Sequence, residues 1–161
     1  MTAQENTELL QRFYDAFGRR DGATMAACYA PDATFSDPVF VGLSGEQPGA
    51  MWRMLTAGSS DLTVELVDVH ADENTGSARW VARYTFTTTG KHVTNDVRSS
   101  FVIRGGRIVG QRDVFDFSRW AGQALGLKGL LLGRTGFLKE AVRRQARARL
   151  DRFMANPGSE G

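Results

Sequence analysis

The sequence has few of the residues that form covalent cross-links or metal clusters. It contains one cysteine, Cys28, and two histidines, His70 and His92. One cysteine excludes an intrachain disulfide and a multi-cysteine metal site. The two histidines also lack the spacing of a helical metal-binding pair. We therefore expect the protein to work without a metal and without a cofactor.

Long apolar runs are also missing from the chain. No stretch of about 18 apolar residues occurs, so the sequence predicts no transmembrane helix. Residues 1–5 lack the basic and apolar regions of a signal peptide. A cytoplasmic location is the expectation that follows.

Acidic and basic side chains are unevenly distributed. Residues 1–120 carry 12 basic and 15 acidic side chains, whereas residues 121–161 carry 8 basic and 3 acidic ones. The basic character therefore comes from the C-terminal part, and we expect no nucleic-acid partner for the main domain. Because the composition changes beyond Trp120, we expect a domain at 1–120 and a C-terminal extension at 121–161.

The rest of the sequence is typical of a folded domain with helices at its start. Hydrophobic residues make up 42% of the 161 residues and charged residues 24%. Residues 2–5 form a capping box for a helix that should end near Arg20. A short helix should end near Tyr29, and residues 44–48 should begin a third.

Strands dominate the second half. A short strand is predicted at 33–37, and four longer ones follow at 62–70, 77–88, 91–103 and 107–117. Helices first and hairpin-linked strands afterwards predict an α+β fold with an antiparallel sheet. The alternation slips at 66–67, which predicts a β-bulge there.

Four polar residues interrupt the apolar strand faces. Alternation places Asp37, Asn95, Ser99 and Asp113 on faces that are otherwise apolar. An apolar cavity with a few convergent polar groups is the usual form of a small-molecule site. Two carboxyl groups facing one cavity disfavour simultaneous ionisation, so one can serve as an acid while the other serves as a base.

Residues 29–38 carry a resemblance to a known family. They read Tyr-Ala-Pro-Asp-Ala-Thr-Phe-Ser-Asp-Pro and follow a helix containing Leu-Gln-Arg-Phe-Tyr at 10–14. This pattern resembles the ketosteroid isomerase and SnoaL-like branch of the NTF2-like superfamily, loosely over residues 5–120. The resemblance implies a cone in which a bent antiparallel sheet wraps around the N-terminal helices. It also implies a homodimer formed by the outer sheet face, and Asp37 as general base.

The oxyanion hole of ketosteroid isomerase is replaced in this chain. Its tyrosine falls on Phe13, with Tyr14 adjacent but about 100° around the helix. Its second aspartate falls on Ser99. The resemblance therefore implies little or no steroid isomerisation.

The last strand resembles a second enzyme of the superfamily. Residues 106–116 are similar to limonene epoxide hydrolase, in which a catalytic aspartate falls on Asp113. The other aspartate and the arginine of that enzyme fall near Ala82 and Trp80. Asp37 takes the place of its water-holding asparagine. By this resemblance, Asp37 corresponds to the catalytic carboxylate of ketosteroid isomerase and Asp113 to one of limonene epoxide hydrolase.

We therefore expect an acid/base enzyme that isomerises, cyclises or hydrates a hydrophobic small molecule. Asp37 is the predicted base, and Asp113 is the predicted acid or second base. The predicted substrate-binding residues are Tyr14, Phe35, Trp80, Tyr84, Asn95, Ser99 and Phe115. The alternative is a non-catalytic binding or assembly module, in which Asp37 bonds the turn near Pro38 and Asp113 pairs with an arginine.

The C-terminal extension contains a leucine-rich segment and a basic helix. The leucines lie at 127–132, and glycines at 126, 129, 133 and 136 predict a break before the helix. We expect the extension to pack on the domain or its dimer mate, with the leucine segment at the pocket entrance. Peripheral membrane contact through 127–153 is an alternative, and a partner contact is another.

Overall fold

The structure is a computed structural model that describes residues 2–156. It contains six helices and six strands within that range. In chain order they are α1 (Ala3–Gly18), α2 (Gly22–Ala27), β1 (Tyr29–Ser36), β2 (Leu43–Ser44), α3 (Gln47–Ala57), β3 (Thr63–Ala71), β4 (Thr75–Phe86), β5 (Lys91–Arg104), β6 (Arg107–Val114), α4 (Phe117–Leu125), α5 (Leu127–Leu132) and α6 (Gly136–Ala155).

The first helix begins at the predicted capping box. The Thr2 hydroxyl accepts a hydrogen bond from the Glu5 backbone N–H at 3.1 Å, and the Glu5 carboxylate accepts one from the Thr2 N–H at 2.8 Å. These two bonds satisfy donors that the first helical turn leaves free. One side of this helix is an apolar stripe whose members are all buried: Leu9, Leu10, Phe13, Tyr14 and Phe17.

The start of α3 differs from the expectation. Ser44 belongs to the short strand β2, and Glu46 precedes the helix without a side-chain capping bond. Pro48 lies in the first turn, as predicted, where its missing N–H costs nothing.

The six strands form one sheet in the order β2-β1-β6-β5-β4-β3. Four of the five ladders are antiparallel, but β1 and β6 run parallel. The predicted antiparallel sheet is therefore confirmed at four ladders, and the ladder between β1 and β6 departs from it. The chain leaves β1, forms α3 and four other strands, and returns beside β1 in the same direction.

A register shift between Tyr29 and Thr34 interrupts the ladder of β1 with β6, and two more shape the rest of the sheet. One lies between Leu66 and Asp68, which confirms the predicted bulge. The other lies between β5 and β6, where Ile103 pairs with Ile108 and Val102 pairs with Gly110. Alternation alone places Val109 inward, but the extra residue turns Ile108 into the core instead.

The core fills the space between the helices and one face of the sheet. Rings of α1, α3 and β4 meet edge to face, as in the pair Phe17 and Trp52, whose centroids are 4.9 Å apart. A second cluster joins α4 to β5 and α6. The helix α6 contributes Leu150, fully buried, to the first cluster and Leu138 to the second. This confirms that the basic helix packs on the cone, and the boundary predicted at Trp120 falls inside α4.

The leucine-rich segment does not lie where we expected. Leu127, Leu130 and Leu131 are 72–73% exposed, and none of them lines the main cavity. Gly129 explains this orientation, since a Cβ there would lie 1.8 Å from the Ala121 carbonyl oxygen. The glycine face of α5 therefore packs against α4 and directs the leucines outward. Within residues 2–156, no helix combines the length and apolar character needed to cross a bilayer.

Candidate active site

A large cavity lies between the inner sheet face and the helices α3, α4 and α6. Its volume is about 490 Å³. Most of its wall is apolar, which suits a hydrophobic ligand. The aromatic side chains on that wall are Phe17, Phe40, Trp52, Trp80, Tyr84, Phe86, Phe115 and Trp120.

Six of the nine site residues predicted from the sequence line this cavity. They are Asp37, Trp80, Tyr84, Asn95, Asp113 and Phe115. The other three, Tyr14, Phe35 and Ser99, are at most 3% exposed and lie behind the wall. Asp37 and Asp113 therefore face the same space, as the strand alternation predicted. Tyr14 and Ser99 do not face it, contrary to the expectation that they would hold a substrate oxygen.

Asp113 is the most deeply placed acid of the cavity. It is 3% exposed, and both of its side-chain hydrogen bonds end on Oδ1. The Ser99 hydroxyl donates to that oxygen at 2.6 Å, and the Gln111 amide donates to it at 3.0 Å. Among the described residues, the one buried side-chain N or O atom without a partner is Asn6 Oδ1. The second oxygen of Asp113, Oδ2, has no partner in the protein and is not fully enclosed, so it is accessible from the cavity.

One chain of hydrogen bonds reaches Asp113 through Ser99. The Tyr14 hydroxyl donates to Ser99 Oγ at 2.9 Å, and the Trp80 indole N–H donates to the same oxygen at 2.9 Å. Both acceptor positions of Ser99 are thereby occupied. Its own hydroxyl hydrogen is free to go to Asp113.

A second chain reaches Asp113 through Gln111. The Trp52 indole N–H donates to the Tyr29 hydroxyl at 2.7 Å, and Tyr29 donates to Gln111 Oε1. The Gln111 amide nitrogen then points at Asp113.

The direction of both chains follows from their first donors. The indoles of Trp80 and Trp52 can only donate, and because Tyr14 also donates to Ser99, the Ser99 hydroxyl and the Gln111 amide point towards Asp113. Burial raises the pKa of the Tyr14 and Tyr29 phenols well above the ordinary value, so both remain protonated donors. Oδ1 therefore stays an acceptor, and a proton bound by Asp113 lies on Oδ2.

Burial is the main cause of the perturbed ionisation of Asp113. Desolvation raises its pKa from 3.8 to about 7, against the opposing effect of the bonds from Ser99 and Gln111. The negative charge of Asp37 raises it further. Near neutral pH, Asp113 thus exchanges readily between acid and carboxylate.

Asp37 is held by the turn that follows β1. Its Oδ1 accepts from the backbone N–H groups of Val39 at 2.7 Å and Phe40 at 2.6 Å. The turn bond that the alternative interpretation foresaw is therefore present, and the same side chain also lines the cavity. Desolvation raises the pKa of Asp37 to about 6, while these bonds and the nearby Arg143 lower it.

Two further polar groups face the cavity with bonding capacity to spare. Asn95 makes no side-chain hydrogen bond to any described residue. The Tyr84 hydroxyl accepts from the Trp120 indole at 2.9 Å, which leaves its own hydrogen to donate. A ligand oxygen inside the cavity can therefore be recognised by an amide and a phenol.

Several residues of the site escaped the sequence analysis. Gln111 lies two positions before Asp113, so period-2 alternation could have placed it on the same face. Tyr29 opens the motif at 29–38 but was not identified as a donor. The α6 residues of the wall, Arg149 among them, could not be placed because a sequence does not reveal which face of a helix meets a distant sheet.

The described residues offer no metal centre. Within 2–156, no group of three or more His, Cys, Asp or Glu side chains lies close enough together to bind a metal ion.

Solved structures share this architecture. An NTF2-like protein of unknown function from Burkholderia pseudomallei is 19% identical, with a TM-score of 0.60 over 70% of this chain and 91% of that one. An LEH-like epoxide hydrolase from M. tuberculosis is 21% identical, with a TM-score of 0.63 over 84% of this chain and 96% of that one. A proposed polyketide cyclase from Xanthomonas campestris pv. campestris is 23% identical, with a TM-score of 0.64 over 75% and 97%.

At these identities the likeness establishes the fold, which is the NTF2-like cone. Among curated protein sequences, none matches the chain. The sequence profile of the SnoaL-like domain matches residues 10–111, more than half of the 161 residues, and the chain therefore belongs to the SnoaL-like family.

Proposed function

We propose that the protein is a cofactor-independent acid/base enzyme that acts on a hydrophobic small molecule. The observation that carries this proposal is the buried carboxyl group of Asp113. Its Oδ1 accepts two hydrogen bonds from the protein, and its Oδ2 faces an apolar cavity. A group with a pKa near the working pH transfers protons most efficiently in either direction. The reaction class is isomerisation, cyclisation or hydration.

The different environments of the two carboxyl groups give them different pKa values and therefore different roles. The pKa of Asp37 is raised to about 6 and that of Asp113 to about 7. Between these values Asp37 is mostly ionised and Asp113 mostly protonated, the arrangement that assigns a base and an acid. Asp37 then removes a proton from a substrate carbon or from water, and Asp113 delivers one from Oδ2 to a substrate oxygen. Asn95 and the Tyr84 hydroxyl line the same cavity and hold other polar groups of the substrate.

The test is a comparison of charge-removing variants on a panel of hydrophobic ketones and epoxides. Deuterium incorporation from D₂O reports proton abstraction, and ¹⁸O incorporation from labelled water reports hydration. We expect Asp37→Asn and Asp113→Asn to lose about 10²–10⁴-fold in rate. Asp32→Asn is the matched control, since Asp32 is exposed on the same strand as Phe35. Full turnover in both folded active-site variants would exclude the proposal.

Steroid isomerisation is expected to be weak or absent. Phe13 has no hydroxyl, and Ser99 already donates its hydrogen to Asp113 at 2.6 Å. Neither residue can therefore donate to a dienolate oxygen. Efficient isomerisation of a 5-ene-3-ketosteroid would contradict this argument.

A second candidate function is non-catalytic binding of an apolar ligand. It is favoured by the two backbone bonds that tie Asp37 Oδ1 into its turn. In that case the Asp37→Asn and Asp113→Asn variants would bind a co-purified ligand as the parent does, and the parent would turn over no compound of the panel.

We also propose a homodimer formed through the outer sheet face. Val67, Val102 and Val114 are 47–56% exposed on strands of that face. Sedimentation velocity should give a dimer for the parent and a monomer for Val102→Lys/Val114→Lys. A monomeric parent would exclude the proposed interface.

A further inference from the structure

The basic side chains of α6 are not all used in ion pairs. The helix carries six basic and two acidic residues between 136 and 155. Both acids are committed, Glu140 to Arg143 at 3.0 Å and Asp151 to Arg147 at 3.8 Å. Among the described residues, no carboxylate lies within ion-pairing distance of Arg149 or Arg152.

Arg149 and Arg152 both line the main cavity. Their spacing of three residues puts them on the same side of the helix. The Arg149 guanidinium reaches the C-terminal end of α3, because a Cβ built at Gly58 would lie 2.9 Å from Arg149 Nη2. These two cations therefore lie beside the loop that follows α3.

The same end of the cavity carries hydroxyl groups. Ser59 and Thr85 belong to the wall there. Asp61 lies next to them, but both of its oxygens are taken by Thr85, through N at 3.1 Å and Oγ1 at 2.6 Å, and Asp61 does not line the cavity. The rim made of Ser59, Thr85, Arg149 and Arg152, called the cationic rim below, thus offers the Ser59 hydroxyl and two guanidinium groups as donors, because Thr85 already donates both of its hydrogens to Asp61.

The cationic rim is far from Asp113. Asp113 pairs with Ser99 on β5, and Thr85 pairs with His92 of the same strand. Seven residues of β5 separate these levels, which at about 3.3 Å per residue corresponds to roughly 20 Å along the strand. A ligand that touches both ends has to be elongated.

We propose that the substrate is an elongated amphipathic anion, whose carboxylate or phosphate binds Arg149 and Arg152 while its reactive oxygen lies at Asp113. This inference rests on the proposed acid/base function and specifies its substrate class. The apolar wall accommodates the body of such a molecule, and guanidinium groups suit both anions because they donate paired, charge-assisted hydrogen bonds. A neutral hydrophobic molecule would make no use of the two guanidinium groups at the mouth.

The test uses three probes of equal chain length: decanoate, decyl phosphate and 1-decanol, each below its micelle concentration. All three tryptophans of the chain line the cavity, so intrinsic fluorescence reports binding directly. We expect at least one anion to bind about tenfold or more tightly than the alcohol. The two anions distinguish a carboxylate substrate from a phosphate.

Variants that remove charge test whether the preference for anions comes from Arg149 and Arg152. Arg149→Gln/Arg152→Gln should lose the preference for the anion and keep the affinity for 1-decanol. The matched control is Arg134→Gln/Arg144→Gln, because both arginines are exposed and neither lines the cavity. It removes the same charge and should change nothing. An equal loss in the control would overturn the proposal, since it would reveal general charge attraction.

Two further readouts keep the test decisive. Added salt should weaken anion binding to the parent protein and leave 1-decanol binding unchanged, which requires no variant to fold. Equal affinity of the parent for all three probes, or binding of none, would overturn the proposal. The titration needs no turnover, so a protein that prefers anions but catalyses nothing would refute the proposed function alone. Turnover that depends on Asp113 without an anion preference would refute this inference alone.

Discussion

Asp113→Asn should stabilise the protein at alkaline pH while it removes activity. The substituted side chain keeps an oxygen that accepts from Ser99 and Gln111, and its NH₂ group occupies the position that faces the cavity. Only the ionisable oxygen is lost. The substitution therefore isolates the free-energy cost of a buried carboxylate.

The magnitude follows from the perturbed ionisation. The pKa of Asp113 rises from 3.8 in a solvated chain to about 7 in the fold, which corresponds to about 4 kcal/mol. Because the folded value is the higher one, the native state binds more protons than the unfolded state between these pH values. The cost is absent below about pH 4, grows as the pH rises, and is complete above about pH 7.

The assay is the free energy of unfolding in urea across that pH range. We expect the parent to lose stability relative to Asp113→Asn as the pH rises, until the difference reaches about 4 kcal/mol. Exposed carboxyls such as Asp61 and Asp96 have pKa values lowered by hydrogen bonds, so they stabilise the fold as the pH rises. Their contribution is the same in both proteins and cancels in the difference. Asp32→Asn should follow the parent. Parallel profiles for the parent and Asp113→Asn would refute the buried-carboxylate argument.

Three other predictions concern pH, the C-terminal helices and the exposed leucines. Activity should peak between about pH 6 and 7, because Asp37 must be ionised and Asp113 protonated, and a pH–rate profile of Asp37→Asn should lack the acidic limb. Truncation after Trp120 should lower the melting temperature and the solubility, since it removes the buried side chain of Leu150. A truncated protein that stays equally stable and loses only binding to anionic liposomes would favour the membrane interpretation. Leu130→Ser/Leu131→Ser should leave the melting temperature unchanged, because both side chains are already about three-quarters exposed; a clear drop would contradict their placement.

The sequence predicted the features that local patterns encode. The capping box at Thr2, the bulge near Leu66 and the turn at Gly105–Gly106 are all present, and both glycines adopt the positive φ values of a tight hairpin. Alternation also put Asp37 and Asp113 on one face. Each of these depends on neighbours within a few residues, which is why a pattern can reveal them.

Features that depend on distant contacts were not predictable in the same way. The parallel pairing of β1 with β6 depends on where the chain returns after about seventy residues, and no local pattern records that. Val109 was placed inward because alternation has no signal for a single extra residue. The leucines of α5 were expected at the cavity, but the close packing of Gly129 on α4 turned them outward.

The hydrogen-bond network explains how the chain can differ from ketosteroid isomerase and still present an acid. In the resemblance, Phe13 and Ser99 stand where two oxyanion donors would be. Here the phenol of Tyr14, next to Phe13, donates to Ser99 at 2.9 Å, and Ser99 donates to Asp113 at 2.6 Å. Both hydroxyls therefore bind Asp113 or its partner and do not face the cavity. In the proposed function, the group that meets the substrate oxygen is then the carboxyl of Asp113 itself. A Ser99→Ala variant would strand the Tyr14 hydroxyl and the Trp80 indole, so the same serine that orients the acid also keeps two buried donors satisfied.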